Sequence, residues 1–267
     1  MTKKGVAVIG GAGCLGTRVC ERFKKRNIVH NKFDIDLSNK EKNSIYCDVE
    51  NVDSLEKLKG VDVIINLAAI HRDDVRPLSR YDDVNVQGAK NVCEAACKQG
   101  VHKIIFTSSV AIYGFAPADT DESGKPNFFN DYGRTKYLAE QVYRAWQSED
   151  PESRTLVIVR PTVIFGEGNR GNVYNLLRQI VSRRFLMFGD GTNRKSMAYV
   201  ENVASFIEYS LSFNPGLHIY NYIDKPDLDM NELISRTRKI FYGKTKVGLR
   251  LPGFVGTLLG YVADLAA

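Results

Sequence analysis

The sequence predicts an α/β fold, a doubly wound parallel sheet with helices on both faces and a smaller lobe at its C-terminal end. Three observations carry this. Apolar, β-branched runs alternate with helix-length amphipathic segments through the first two-thirds of the chain. A glycine triplet separates the first apolar run from the first helical segment, as in Rossmann-type sheets. Beyond Pro161 the alternation gives way to glycine- and arginine-rich loops.

The elements follow in order. "GVAVIG" (5–10) reads as a buried strand, and "LGTRVCERFKKR" (15–26) as the helix after it. "NIVHNKFD" (27–34) and the short "SIYCD" (44–48) supply two more strands, "VDSLEKL" (52–58) a helix and "VDVIINLAA" (61–69) a strand. One long helix is expected over "DDVNVQGAKNVCEAACKQG" (82–100). The strand "KIIFTSS" (103–109), a helix opening near Tyr132 and the strand "RTLVIVRP" (154–161) complete the series. Residues 1–160 therefore read as an NAD-binding Rossmann domain. Residues 161–267 read mainly as a substrate-binding lobe, with part returning to the sheet. Ligands in this architecture sit beyond the carboxyl ends of the strands, where strand order reverses.

Composition narrows the class. The chain has 267 residues, 43% hydrophobic and 25% charged, enough apolar content to bury a core. Its formal charge of +6 points to an anionic partner, for which phosphate metabolites, nucleic acid and an anionic membrane all qualify. The densest basic run, "ERFKKRN", alternates with apolar residues as a solvated helix face does, so no nucleic acid is expected. Cysteines at 14, 20, 47, 93 and 97 show no CxxC spacing, and no secretory segment precedes the first strand. Reduced thiols, a cytoplasmic location and no metal site are the expectation.

Gly10, Gly13 and Gly16 stand in G-x-x-G-x-x-G order between strand and helix, with Cys14 and Leu15 at the helix start. The first glycine permits a tight turn, the second a close backbone approach to a pyrophosphate, the third tight helix–strand packing. Asp34, eighteen residues after Gly16 and followed by Ile35, is placed to accept hydrogen bonds from the adenosine ribose, with Asp36 as a competitor. A carboxylate there repels a 2′-phosphate, so NAD is favoured over NADP. Asp48 and Val49 are expected near the adenine, and Leu67, Ala68 and Ala69 leave room for cofactor beside the backbone.

"FNDYGRTKYLAEQVY" (129–143) places Tyr132 and Lys136 one helical turn apart. The same spacing recurs at Tyr242 and Lys246, so the spacing alone does not identify a site. Ser109 ends a strand 23 residues before Tyr132. Lowering a tyrosine pKa from about 10 to about 7 needs roughly 4 kcal/mol. One cation at about 4 Å provides on the order of that at an effective dielectric near 20. A neighbouring lysine and a positive nicotinamide ring together suit the task.

The glycine order, "NLAA", "TSSVAIYG", "YGRTK" and "RPTVIFG" together resemble the extended short-chain dehydrogenase/reductase superfamily, in its NAD-dependent epimerase/dehydratase branch. The resemblance implies that Ser109, Tyr132 and Lys136 are the catalytic triad and that the Tyr242–Lys246 copy is accidental. It also implies cofactor contacts at Asn85, Pro161 and Val163, besides Tyr132 and Lys136. Longer strings, including "AAIHRDDVRPLSRYDDVNVQG", "RPTVIFGEGNRGNVYNLLRQI" and "GDGTNRKSMAYVENV", are similar to enteric 4-epimerases of N-acetylglucosaminyl-diphospho-undecaprenol in O-antigen and lipopolysaccharide assembly. That likeness implies reversible conversion of lipid-linked N-acetylglucosamine to N-acetylgalactosamine through a 4-keto sugar, with NAD retained.

Substrate contacts are expected from Ser109, Arg72, Arg170, Arg194 and Lys195, the basic groups toward a diphosphate. Arg72 has a competing expectation, pairing with Asp73 or Asp74. The apolar tail "LRLPGFVGTLLGYVADLAA" (249–267) is too short to span a bilayer, which takes roughly 20 apolar residues. It reads as core packing or as a peripheral contact with the inner membrane. A homodimer is the superfamily expectation. The alternatives are an epimerase of soluble UDP-N-acetylhexosamine and, from another class, a non-catalytic NAD-binding sensor. A dehydratase would carry an Asp–Glu pair soon after Ser109, and Asp121 and Glu122 lie too far along to serve; a net reductase is disfavoured by Asp34.

Overall fold

The computed structural model of the protein describes residues 5–37, 44–72 and 74–256. Eleven strands run through them: β1 (Gly5–Ile9), β2 (His30–Asp34), β3 (Ile45–Tyr46), β4 (Val61–Asn66), β5 (Lys103–Thr107), β6 (Thr155–Pro161), β7 (Val163–Phe165), β8 (Met187–Phe188), β9 (Met197–Tyr199), β10 (Gly216–Tyr222) and β11 (Arg250–Leu251). The helices are α1 (Cys14–Lys25), α2 (Val52–Leu55), α3 (Ser79–Tyr81), α4 (Gly88–Gln99), α5 (Asp131–Ser148), α6 (Asn172–Val181), α7 (Val200–Ser210) and α8 (Met230–Tyr242). The chain divides into two compact units. The first holds residues up to Thr162 and returns for Tyr199–Tyr222; the second holds Val163–Ala198 and the chain from Ile223 onward.

The first unit is built on a seven-stranded sheet of order β10-β6-β5-β4-β1-β2-β3. Every pairing in it is parallel. Strand order reverses between β1 and β4, the position at which such sheets bind ligands. Both faces are covered because both pleats are apolar. Ala7, Ile9, Ile64, Ile104, Phe106, Leu156 and Ile158 pack with Val92, Ala96, Ala139, Tyr143 and Trp146 of α4 and α5. Val8, Ile65, Ile105 and Val157, on the opposite pleat, are equally buried. Helices α1 and α7 are joined by Arg22, whose guanidinium donates to Glu208 at 2.8 Å and to Ser205 at 3.0 Å.

The helix expected over 82–100 begins differently. Asp82–Gln87 forms a π-helical segment before α4. Its wider turn coincides with Asn85, which is buried and donates to the Ile70 carbonyl at 3.1 Å and to Thr135 Oγ1 at 2.9 Å. π-turns of this kind recur at functional sites.

The second unit packs α6 against α8 around Ile180, Met187, Met230, Leu233 and Ile234. Asp229 opens α8 with a capping box, accepting from the Glu232 amide at 2.8 Å while the Glu232 side chain accepts from the Asp229 amide at 3.3 Å. Tyr242 sits at the end of α8, its hydroxyl donating to the Val181 carbonyl, and Gly243 terminates the helix in the left-handed region. Lys246 lies beyond that stop. The second Tyr-x-x-x-Lys string therefore does not share one helix face.

A polar cluster crosses the core of the first unit. Arg160 on β6 donates to both oxygens of Glu140 on α5, at 2.9 and 2.6 Å, with both residues almost fully buried. It also donates to the Tyr113 hydroxyl, which donates onward to Asn221 Oδ1 at 2.9 Å. Removing one half of a buried ion pair strands the other charge, at a cost of about 3–5 kcal/mol. Arg160→Met should lose that much stability in urea titrations, and the Glu140→Leu/Arg160→Met double variant should recover most of it.

Candidate active site

The glycine loop joins β1 to α1. Gly10 has φ +75°, and a Cβ there would lie 2.8 Å from the Ala68 amide nitrogen, so only glycine lets β1 and the end of β4 approach this closely. A Cβ on Gly16 would stand 2.3 Å from the Gly10 carbonyl oxygen. Gly13 is exposed and caps α1 with backbone alone, with no acidic residue in the first turn. The amide end of this 12-residue helix thus offers positive potential to an anion.

Asp34 closes the other side of the loop. One carboxylate oxygen accepts from the Ala12 amide at 2.8 Å and the other from the Asp36 amide at 2.9 Å. Each oxygen retains acceptor capacity for a ribose hydroxyl. Of the two competing acids, Asp34 is the one held against the glycine loop. This cradle, which a side chain at Gly10 would close, with a carboxylate beside it, fits NAD.

Ser109 ends the strand segment as N-cap of a 3₁₀ turn over Val110–Tyr113, its Oγ accepting from the Ala111 amide at 3.1 Å. Tyr132 lies in the first turn of α5, which Asn130 caps by accepting from the Gly133 amide at 2.8 Å. A Cβ on Gly133 would lie 2.5 Å from the Ala111 carbonyl oxygen, so α5 abuts the 3₁₀ turn through a missing side chain. That contact brings the Ser109 and Tyr132 segments side by side. Helical spacing then puts Tyr132, Lys136 and Glu140 on one face of α5.

Lys136 is only 2% exposed, and its Nζ lies 4.2 Å from the centre of the Phe106 ring on β5. Burial pulls its pKa down to about 7, against an opposing pull from the Glu140 carboxylate. Phe106 in turn packs on Tyr143 with ring centres 4.5 Å apart. The ammonium is thus held in an apolar setting where a nearby phenolate would gain from it.

The remaining expected residues are dispersed over both units. Leu67, Ala68 and Ala69 follow β4 beside Gly10, with the Ala68 amide donating to Asn66 Oδ1 at 3.1 Å. Cys14 and Leu15 open α1, Ile35 is exposed after β2, and Pro161 ends β6. Asn85 is engaged within the fold: its Oδ1 accepts from the Ile70 amide at 2.9 Å, in addition to the two bonds it donates. Its visible task is to clamp the loop after β4 to α5. The Val49 side chain turns into the core, and its carbonyl accepts from Asn91 at 2.8 Å, while Asp48 Oδ1 accepts from the Glu50 amide.

Arg72 is exposed and chelates Asp74 through two hydrogen bonds of 3.0 and 2.6 Å. Asp73 lies outside the described residues. Val163, Arg170, Arg194 and Lys195 belong to the second unit. Arg170 and Arg194 are exposed there, and Lys195 is half-buried.

Three groups escaped the sequence reading: Gly133, and the buried pair Glu140 and Arg160. Glu140 carried a signal, since an acid on the inward face of an amphipathic helix demands a counter-ion. The partner's identity was not readable, because Arg160 is twenty residues away on a strand.

The profile of the NAD dependent epimerase/dehydratase family matches residues 6–221. The chain belongs to that family. Among relatives of this NAD-dependent enzyme, an Escherichia coli N-acetyl-α-D-glucosaminyl-diphospho-undecaprenol 4-epimerase is 45% identical over 97% of this chain and 79% of its own length. A Vibrio cholerae UDP-glucose 4-epimerase is 31% identical, the match covering 56% of this chain and 48% of that protein. Of the solved structures, UDP-N-acetylglucosamine 4-epimerase from Bacillus cereus superposes with a TM-score of 0.81 at 18% identity, covering 93% of this chain and 85% of that one. Thermus thermophilus UDP-glucose 4-epimerase, solved with NAD, gives 0.75 at 20% identity over 92% and 86% of the two chains. These structures establish the family's Rossmann-type fold in this chain.

The depressed Lys136 pKa has a stability consequence. Unfolded lysine titrates near 10.4, so between that pH and about 7 the unfolded chain binds a proton that the folded chain does not. Stability falls as pH drops through this window and is lowest below it. In cofactor-free protein, Lys136→Met should therefore be stabilising at pH 7, by on the order of 4 kcal/mol at most. The gain should fade toward pH 10.5 in urea titrations run across that range.

Proposed function

We propose that the protein is a sugar 4-epimerase acting on N-acetylglucosaminyl- and N-acetylgalactosaminyl-diphospho-undecaprenol. The single observation that carries the lipid-linked reading is the 45% identity, over 97% of the chain, to a relative named for that substrate. The chemistry rests on the placement of Tyr132 and Lys136 on one face of α5, with Ser109 on the adjoining turn.

In this reading Tyr132 removes the proton from the sugar C4 hydroxyl and returns it after the face of the sugar has changed. Bound NAD supplies a hydride acceptor and donor, so that the sugar passes through a 4-keto form. Lys136 holds positive charge beside the phenolate in a medium where the attraction is little screened. Protonating that lysine costs energy at neutral pH, and a negative phenolate alongside offsets the cost. Ser109 hydrogen-bonds the reacting oxygen and fixes its approach. Glu140 and Arg160 neutralise one another, which keeps the acid below Lys136 from capturing its ammonium outright. Arg170, Arg194 and Lys195 remain diphosphate partners on charge and chemistry alone. Membrane contact and dimerisation belong to the same reading.

Side-by-side incubation with polyprenyl-diphosphate-linked and UDP-linked N-acetylglucosamine tests the substrate. Conversion of the lipid-linked sugar at a clearly higher rate is expected; equal or faster conversion of the UDP sugar overturns the lipid assignment. Tyr132→Phe should lower turnover roughly 10²–10⁴-fold, the usual worth of a positioned acid–base, with NAD retention unchanged. Full turnover in that variant would remove Tyr132 from its role.

A further inference from the structure

The second unit carries a surface that neither its core nor the epimerisation chemistry uses. Helices α6 and α8 enclose an open groove of about 420 Å³, walled by Tyr174, Leu177, Val181, Thr237, Ile240 and Phe241, with Arg178 also lining it. Ile240 is 80% exposed and Phe241 60%. The same helices already bury Ile180, Leu233 and Ile234 on their inner side. An amphipathic helix ordinarily shows water its polar face; here large apolar groups occupy both.

The sequence stretches that hold these two helices are basic, and Arg178 lines the groove itself. Residues 172–188 contain three arginines and no acid, while residues 230–256 contain six basic residues against Glu232, which gives +8 in all. The whole chain carries +6, so everything else is net −2. Arg183, two residues after the groove residue Val181, has its guanidinium 4.6 Å from the centre of the Tyr242 ring, next in sequence to Phe241.

We infer that the α6–α8 face docks on an anionic lipid bilayer, Ile240 and Phe241 entering the boundary between headgroups and chains while the basic rim meets lipid phosphates. Charge complementarity selects this occupant. A polyanion such as nucleic acid would use the rim and leave the apolar wall wet, whereas an interfacial membrane contact uses both, and two weak signals of this kind act jointly. The inference rests on the lipid-linked reading for its purpose, because an enzyme whose substrate is embedded in a bilayer gains from being held there. It moves the expected attachment from the tail to a folded face. Residues 257–267 of that tail lie outside the described residues.

Flotation of the full chain with vesicles of phosphatidylcholine, with and without phosphatidylglycerol, tests it without reading turnover. The protein should float with the anionic vesicles, and added salt should release it. Phe241→Ser with Ile240→Ser should cut the partition coefficient at least tenfold. Arg178→Glu with Lys244→Glu should cut it further, since each basic residue near an anionic surface is worth roughly five-fold. All four positions are exposed, and unfolding midpoints matching the parent confirm folded protein. Parent protein that stays at the bottom, pairs of variants that float like the parent, or flotation abolished by deleting residues 257–267 alone would each overturn the assignment. A protein that floats yet converts only UDP-linked sugar keeps the docking face and ends the lipid-linked reading. One that converts lipid-linked sugar in detergent but never floats does the reverse.

Discussion

A lysine ammonium buried against an aromatic ring is the constraint on which the candidate site depends. Lys136 can hold its charge there only at a cost, and the surroundings are arranged to limit that cost without cancelling it. Phe106 presents its ring face to the ammonium at 4.2 Å. Glu140, one turn further along α5, is already committed to Arg160, so its carboxylate pulls on Lys136 from a distance set by the helix. Were Glu140 unpaired, it would take the lysine's charge for itself. A neighbouring phenolate would then find little left to gain. The buried ion pair fixes the carboxylate that lies one helical turn from Lys136, and its net worth to stability is modest.

Backbone proximity does the rest, and it depends on side chains that are absent. Gly10 lets the ends of β1 and β4 meet where the strand order reverses, and Gly133 lets α5 lie on the turn that Ser109 caps. Asp34 ties the far side of the glycine loop by taking the Ala12 amide. Asn85 adds a clamp between the loop after β4 and α5, from a π-turn that gives its side chain an inward path. Each of these contacts joins segments distant in sequence, so the placement of the reactive groups is a property of the assembled sheet.

The two units divide the chemistry by charge. The sheet unit carries the glycine cradle, Asp34 and the residues Ser109, Tyr132 and Lys136. The second unit carries a basic, partly apolar surface on α6 and α8. A small net charge of +6 hides this separation, because the acids and bases are not mixed evenly along the chain.

Much was legible before any coordinates. The alternation of apolar runs with amphipathic segments determined the parallel sheet, because strands buried on both pleats need side chains that are apolar at every position. The glycine order between strand and helix raised the expectation of a dinucleotide, since few residue types permit a pyrophosphate to approach a backbone, and the family match bears out NAD. Local spacing determined that Tyr132 and Lys136 share a helix face, but it offered Tyr242 and Lys246 on equal terms. Only the tertiary structure separated them, by ending α8 at Gly243 and by burying Lys136 under β5. It also decided that Arg72 spends its guanidinium on Asp74, that Val49 faces the core, and that Arg160 is the counter-ion of Glu140. The physical reason is common to all of these. Periodicity and turn chemistry act over a few residues, whereas desolvation and charge pairing depend on which distant groups the fold brings within a few ångströms.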